Sequence, residues 1–338
     1  MRQSPGRGTV LKKSGNTFWI FLGLAIFAVL LWSLDLRQSL HKLSHLHYGW
    51  FFLGLGLMAL TQYVGYFKWK VMYGATMIDT HQPLLPIFTS VLVTGMLTPA
   101  RTGDVLASLA WKQMQGKVLA WSIFHRISEG VTTLVLCFLV LGFVFRSYFS
   151  HLRWVWMTVF LGGVILGILI VFSPSAGHWF FKNLKRILMK LKHFPFVLQI
   201  LSFEEKIKNQ LELFYETMGQ FRKRHVLTLL VIITLGNRCV IIAANMALLR
   251  SLGVDLPPVS VLGILAATWM GSFFSPTPNG IGIGDVPPSL LLSRYGFADS
   301  AGAYILINRF IDILIIFFWS GLLALYVKGK AKPQTAPA

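Results

Sequence analysis

The chain has 338 residues, is 55% hydrophobic and carries 31 Lys and Arg against only 12 Asp and Glu, a formal net charge of +19. In a soluble protein that excess would suggest nucleic acid. Here the basic residues cluster between apolar stretches, so bilayer orientation and anionic headgroups account for them and a nucleic-acid partner is excluded.

Stretches of ~18–25 mostly apolar residues have the length needed to cross ~30 Å of hydrocarbon. The basic N-terminus, 1–16, leads into the first such run, 17–34. That run is long for a signal-peptide core and no small-residue cleavage site follows it, so it reads as a span. Further runs occupy 48–67, 83–97, 117–145, 153–173, 226–249, 258–275 and 300–326. The two cysteines, Cys137 and Cys239, fall inside these runs and form neither a disulfide framework nor a CxxC motif.

Between the fifth and sixth runs, residues 176–225 hold ten Lys or Arg against four Glu. With the N-terminus and the tail "KGKAK", this segment is expected to be cytoplasmic. Within it, 178–194 places Phe180, Leu184, Ile187, Leu188 and Leu191 on one helical face under a basic cover, the pattern of an interfacial helix. A second periodic helix is expected at about 203–219.

Counting crossings restricts the topology. If all five early runs spanned, the basic segment would emerge on the wrong side. The conflict disappears if 83–115 is a re-entrant hairpin that enters from the cytoplasm, breaks at "TPARTGD" and returns. The same reading makes 258–296 a second hairpin, entering from the outer face and breaking at "PTPNGIGIGD". The expected fold is an all-α polytopic membrane protein with about six full spans and two re-entrant hairpins. Its parts are a first membrane half (17–173), a cytoplasmic linker (174–225), a second half (226–327) and a cytoplasmic tail (328–338).

The two hairpins repeat one ordered series. The first runs Thr98-Pro99, Gly103-Asp104-Val105, Gly116 and Arg126, with Glu129 three positions on. The second runs Thr277-Pro278, Gly284-Asp285-Val286, Gly296 and Arg309, followed by Asp312. Aspartate and arginine are 22 residues apart in one copy and 24 in the other. Entry from opposite faces makes the repeat inverted, a recurrent plan for transporters. Irregular backbone is not tolerated against lipid, so both tips must face protein or a wet cavity. Pro99, Gly103, Pro276, Pro278, Gly280, Gly282 and Gly284 are the structural residues of these tips.

Asp104 and Asp285 stand where each returning arm begins. A helix N-cap explains them, and Pro287 and Pro288 suit the first turn that would follow. An intramembrane acid also suits proton or cation coupling. Arg126/Glu129 and Arg309/Asp312 are i, i+3 pairs on one helix face, either neutralising each other or facing a cavity where guanidinium meets phosphate. Arg101 at the first tip and Arg238 beside Asn237 are further headgroup-binding candidates. His125 is a packing residue or a proton relay. "GIGIG" follows no strand and is not a dinucleotide fingerprint. No Walker A, HExxH or GxSxG motif and no metal cluster is present, so no cofactor, metal or catalytic residue is expected.

At these positions the chain resembles the flippase-like integral membrane family that includes the transmembrane region of bacterial lysylphosphatidylglycerol synthases. That family shows motifs like P-G-R-x-G-E and P-x-P-G-G-x-G-x-x-E. "TPARTGD" supplies Pro99, Arg101, Gly103 and Asp104, and "PTPNGIGIGD" supplies Pro276, Pro278, Gly280, Gly282 and Asp285. Aspartates replace both glutamates, and Asn279 replaces a usual glycine. The sequence shows no counterpart of the synthases' soluble aminoacyl-transferase domain. The resemblance therefore implies a protein of the bacterial inner membrane, with both termini cytoplasmic, that moves an anionic or polyprenyl lipid between leaflets rather than modifying it. Two other readings stand beside it: an intramembrane enzyme transferring a lipid-linked group, and a non-catalytic partner of a lipid-modifying enzyme or glycosyltransferase.

Overall fold

A computed structural model describes residues 36–76, 84–98, 115–143, 204–273 and 277–330, with isolated positions elsewhere. The expected span 17–34, the run 153–173 and the interfacial helix 178–194 lie largely outside these residues. So do Pro99, Arg101, Asp104 and Pro276.

The described residues are helical, without a strand. In chain order the helices are α1 (Leu36–Ser44), α2 (Tyr48–Thr76), α3 (Leu84–Leu97), α4 (Gln115–Phe143), α5 (Glu204–Phe221), α6 (Arg224–Ser251), α7 (Pro258–Phe273), α8 (Val286–Arg294) and α9 (Ala298–Lys330). A single 3₁₀ turn, Ile283–Asp285, precedes α8. The apolar runs at 83–97, 117–145, 226–249, 258–275 and 300–326 thus become α3, α4, α6, α7 and α9, and the expected 203–219 helix is α5. Helix α1 had no apolar signal: "LRQSLHKLS" is short and amphipathic, and its pattern is drowned by the runs on either side.

Among the described residues, three helices are long and apolar enough to cross a membrane: Tyr48–Thr76, Arg224–Ser251 and Ala298–Lys328. Leu84–Leu97 and Pro258–Trp269 are apolar but shorter. The outward face of α9 leaves Phe310, Ile313, Phe317 and Phe318 exposed, as expected of a helix surrounded by hydrocarbon rather than water.

The chain divides into two compact units. One comprises Met1–Gly65, Leu85–Ala107 and Asn237–Ala338. Its core is built from Leu248 and Leu249 of α6, Leu252 just beyond it, Val261, Ile264 and Leu265 of α7, Leu292 of α8, and Tyr304, Ile307 and Ile311 of α9. Gly54 of α2 lies so close to Leu248 that a methyl group there would overlap its side chain. Helices α7 and α8 pack against each other as a hairpin, and α8 packs on α9. The turn between α8 and α9 is a Schellman motif: Gly296 has φ 86°, with Phe297 N–H bonded to Leu292 O at 2.9 Å. Buried Tyr304 donates to Asn245 Oδ1 at 2.6 Å, joining α9 to α6.

The other unit comprises Tyr66–Leu84 and Ser108–Gly236. There α5 packs along α4, with the Phe124 and Phe221 rings 4.8 Å apart. Trp69 and Trp121 are buried and meet edge to face at 6.0 Å. The Trp121 indole N–H is satisfied by Thr76 Oγ1 at 3.0 Å, at the end of α2.

Candidate functional site

The second hairpin breaks between α7 and α8. Ser275 and Thr277 are fully buried there and hydrogen-bonded to each other at 2.6 Å. Thr277 Oγ1 also donates to Ile281 O at 2.7 Å, closing the tip on itself. Backbone groups freed by the break are therefore satisfied by hydroxyls and by neighbouring turns, as an apolar setting demands.

One guanidinium organises this tip. Arg309 of α9 has five N–H donors, and all five are engaged. Nε bonds to both oxygens of Asp285 at 3.1 Å. Nη2 reaches Asp285 Oδ1 at 2.7 Å and Gly280 O at 3.5 Å. Nη1 reaches Asp312 Oδ2 at 3.1 Å and Asn279 O at 3.2 Å. The Arg309 side chain is 14% exposed and that of Asp285 only 7%. One cation and two carboxylates leave this cluster with a net charge of −1 when all three groups are ionised.

Asp285 stands at the N-cap position of α8, as expected, but its carboxylate makes no capping bond to that helix. It turns back instead, accepting the Gly282 N–H at 2.9 Å and the Arg309 fork. The arginine 24 residues away outcompetes the local helix end, because a charge-assisted bidentate pair is stronger than a single bond to a backbone N–H. Pro287 and Pro288 still begin α8, where missing N–H groups cost nothing.

Asn279 adopts a left-handed conformation, φ 47°, that asparagine tolerates better than other side chains. Its Nδ2 donates to Asp312 Oδ2 at 2.9 Å while its own carbonyl receives Arg309. Sequence reasoning noted this residue only as a replaced glycine.

Gly103 shows a matching close approach. A methyl group on Gly103 would collide with the Thr94 carbonyl of the incoming helix; one on Gly284, its repeat counterpart, would collide with Ser272 Oγ. Gly103 N–H bonds to Thr98 Oγ1 at 2.5 Å, and Thr94 Oγ1 donates to Gly103 O at 3.0 Å. Gly280 is equally close-packed, 2.7 Å from Ser272 Oγ for an added carbon.

Arg126 and Glu129 lie in the second unit, on α4. Their contact is looser than its repeat counterpart, 3.8 Å against 3.1 Å for Arg309 and Asp312. His125 Nε2 lies 3.3 Å from Glu129 Oε1, and the His125 ring meets Trp69 edge-on. Lys68 of α2 joins this group. It is only 3% exposed and its Nζ donates to Ser128 Oγ at 2.6 Å, whose own hydroxyl donates to His125 O. The apolar run in the sequence stops at Phe67, before Lys68, whereas the helix continues to Thr76. Lysine between aromatics in "YFKWK" was the available signal.

Arg238 of α6 is buried, with its guanidinium 4.4 Å from the Trp269 ring centroid of α7. It belongs to the same unit as the Arg309 cluster and packs on the hairpin's incoming arm.

The family described as the lysylphosphatidylglycerol synthase TM region matches residues 20–327. The chain belongs to that family. The match spans both sequence motifs, so the resemblance they carry holds over nearly the whole sequence. No curated protein and no solved structure matches the chain. As a member of the lysylphosphatidylglycerol synthase TM-region family, it is a membrane protein of a family associated with lipid modification. Arg309, Asp285 and the tip glycines of the second family motif form one connected polar cluster within it.

Proposed function

We propose that this protein is a lipid translocase, which binds the phosphate of an anionic or polyprenyl lipid headgroup inside the membrane and carries it between leaflets. The observation that carries this reading is the buried Arg309–Asp285–Asp312 cluster at the break of an apolar hairpin. Ionisable groups in such surroundings are costly and mark transport pathways by default. A hydrophobic contact would join α8 to α9 more cheaply than a buried ion pair.

The chemistry follows from the fork. Asp285 presents two oxygens to Nε and Nη2 of Arg309, and a phosphate presents the same pair. Exchange of carboxylate for phosphate would let the headgroup take the arginine while Asp285 keeps the Gly282 N–H. In the first half, Arg126, Lys68 and Glu129 are the corresponding charged groups. In this reading Arg101, Asp104 and Arg238 are further headgroup-binding residues, and no nucleotide, metal or cofactor takes part. Movement is downhill, ion-coupled or bidirectional, and the chain acts as a transporter, not an enzyme.

The accompanying topology is six spans and two inverted re-entrant hairpins in a bacterial inner membrane, with cytoplasmic termini. The shared close approach of Gly103 and Gly284 to their incoming helices supports the repeat. Purified protein in vesicles holding a headgroup-labelled anionic lipid tests the function: Arg126→Ala should slow leaflet exchange at least tenfold with helix content unchanged. Exchange at the wild-type rate would refute the phosphate grip.

A further inference from the structure

Trp50 and Arg250 meet where α2 begins and α6 ends. His47 N–H bonds to Ser251 O at 2.9 Å, and Gly54 packs on Leu248, so the two helices are antiparallel neighbours. Taken as membrane spans, they bring Tyr48 and Arg250 to the same hydrocarbon boundary. His47, Tyr48, Gly49, Trp50 and Leu53 line an open concavity there of about 500 Å³.

Arg250 sits on one side of it. Its guanidinium lies 5.1 Å from the Trp50 ring centroid. Nε is held by Asp255 Oδ1 at 2.9 Å, which fixes the plane of the fork. Nη1 and Nη2 make no hydrogen bond with any described residue. Tyr48 is 63% exposed and brings a phenolic O–H to the same mouth, while exposed Phe52 and Leu53 continue the surface toward the hydrocarbon. An arginine oriented by a carboxylate and an aromatic face, with neither Nη bonded to a described residue, fits a phosphate oxyanion. Aromatic rings at this depth hold the glycerol and upper acyl region of a lipid.

We infer that Arg250, Trp50 and Tyr48 form a phosphate-binding site at the membrane surface, whose ligand is a phosphate oxyanion, borne by a phospholipid or free in solution. The site is distinct from the Arg309 cluster. Lys42 of α1 pairs with Asp299 at this end of α9, at 2.7 Å, and Arg309 lies ten residues further on, about 15 Å along the helix. The inference rests on the membrane reading of α2 and α6 but not on translocation.

The test uses wild-type protein, delipidated in detergent and treated with phenylglyoxal, with modification of Arg250 followed by peptide mass spectrometry. Phosphatidylglycerol in mixed micelles should slow that modification about tenfold, whereas diacylglycerol, which lacks phosphate, should not. Inorganic phosphate forms a separate arm. Protection by the lipid alone assigns a lipid headgroup, and equal protection by inorganic phosphate assigns a free anion. No protection by either, or equal protection by diacylglycerol, overturns the site. Because no transport is read, failure here leaves the translocase reading standing, and failure of that reading leaves this result intact.

Discussion

Arg309 Nη2 lies 2.7 Å from Asp285 Oδ1, joining the centre of α9 to the start of the α8 arm. The pair is buried, and the rest of the guanidinium is taken up by Asp312, Asn279 O and Gly280 O. The hairpin tip is therefore locked to α9 by Arg309, with Asn279 adding a bond to Asp312. Removing Arg309 leaves two carboxylates without their cation, at a cost of about 3–5 kcal/mol, whereas removing the Asp285 charge leaves Arg309 paired with Asp312 and costs less. Asp285→Asn and Arg309→Lys should each lower the thermal midpoint in detergent by several degrees. Arg309→Lys keeps the charge but loses the fork, so it should fall between wild type and Arg309→Ala. A midpoint unchanged in all three would show that the latch contributes nothing.

Asn279 separates backbone strain from side-chain bonding. Its φ of 47° favours glycine, while its Nδ2 bond to Asp312 favours asparagine. Asn279→Gly relieves roughly 1 kcal/mol of strain and gives up roughly 1 kcal/mol of hydrogen bond, leaving stability nearly unchanged. Asn279→Ala loses on both counts and should cost about 2 kcal/mol. Equal destabilisation by the two variants would mean the backbone conformation carries no penalty.

The two close-packed glycines should respond unequally. A methyl group at Gly103 meets the backbone carbonyl of Thr94, which cannot move without shifting α3. At Gly284 it meets the hydroxyl end of Ser272, which can rotate or be removed. Gly103→Ala should therefore be the more damaging change, with an overpacking cost of about 3 kcal/mol or more. Ser272→Ala should restore part of what Gly284→Ala loses and none of what Gly103→Ala loses. Expression level and thermal midpoint of the four variants decide this.

Lys68 provides a test within the second unit. Lys68→Met keeps the length of the buried side chain while removing its charge and its bond to Ser128. The fold should survive, because an apolar side chain of similar volume suits the buried position. Lipid exchange should fall as it does for Arg126→Ala, since both changes remove a cation from the first-half cluster. Retained exchange with normal folding would take Lys68 out of the proposed grip.

Much of this was legible in the sequence, and the exceptions have physical causes. Apolar runs of span or half-span length became α3, α4, α6, α7 and α9 because length and composition settle helix existence in hydrocarbon. The i, i+3 spacing of Arg309 and Asp312 placed them together, and they meet at 3.1 Å. The partner of Asp285 was not legible, since a local cap and a distant arginine compete and only tertiary packing decides between them. Lys68 escaped because a hydropathy run stops at a charge even when the helix does not. Asn279 escaped because a polar residue in a turn gives no hint of a partner 33 positions away.

The central claim is that Arg309, which reaches the α7–α8 break, and Arg126 of α4 each hold a headgroup phosphate as it crosses the membrane. Its most direct measurement is leaflet exchange of a headgroup-labelled anionic lipid in vesicles. Wild-type protein would be compared with Arg126→Ala, Arg309→Lys and protein-free vesicles, after circular dichroism confirms equal helix content. The account predicts exchange well above the protein-free rate for wild type and at least tenfold slower exchange for both variants. Wild-type protein that moves no lipid, or folded variants that move it at the wild-type rate, would contradict it.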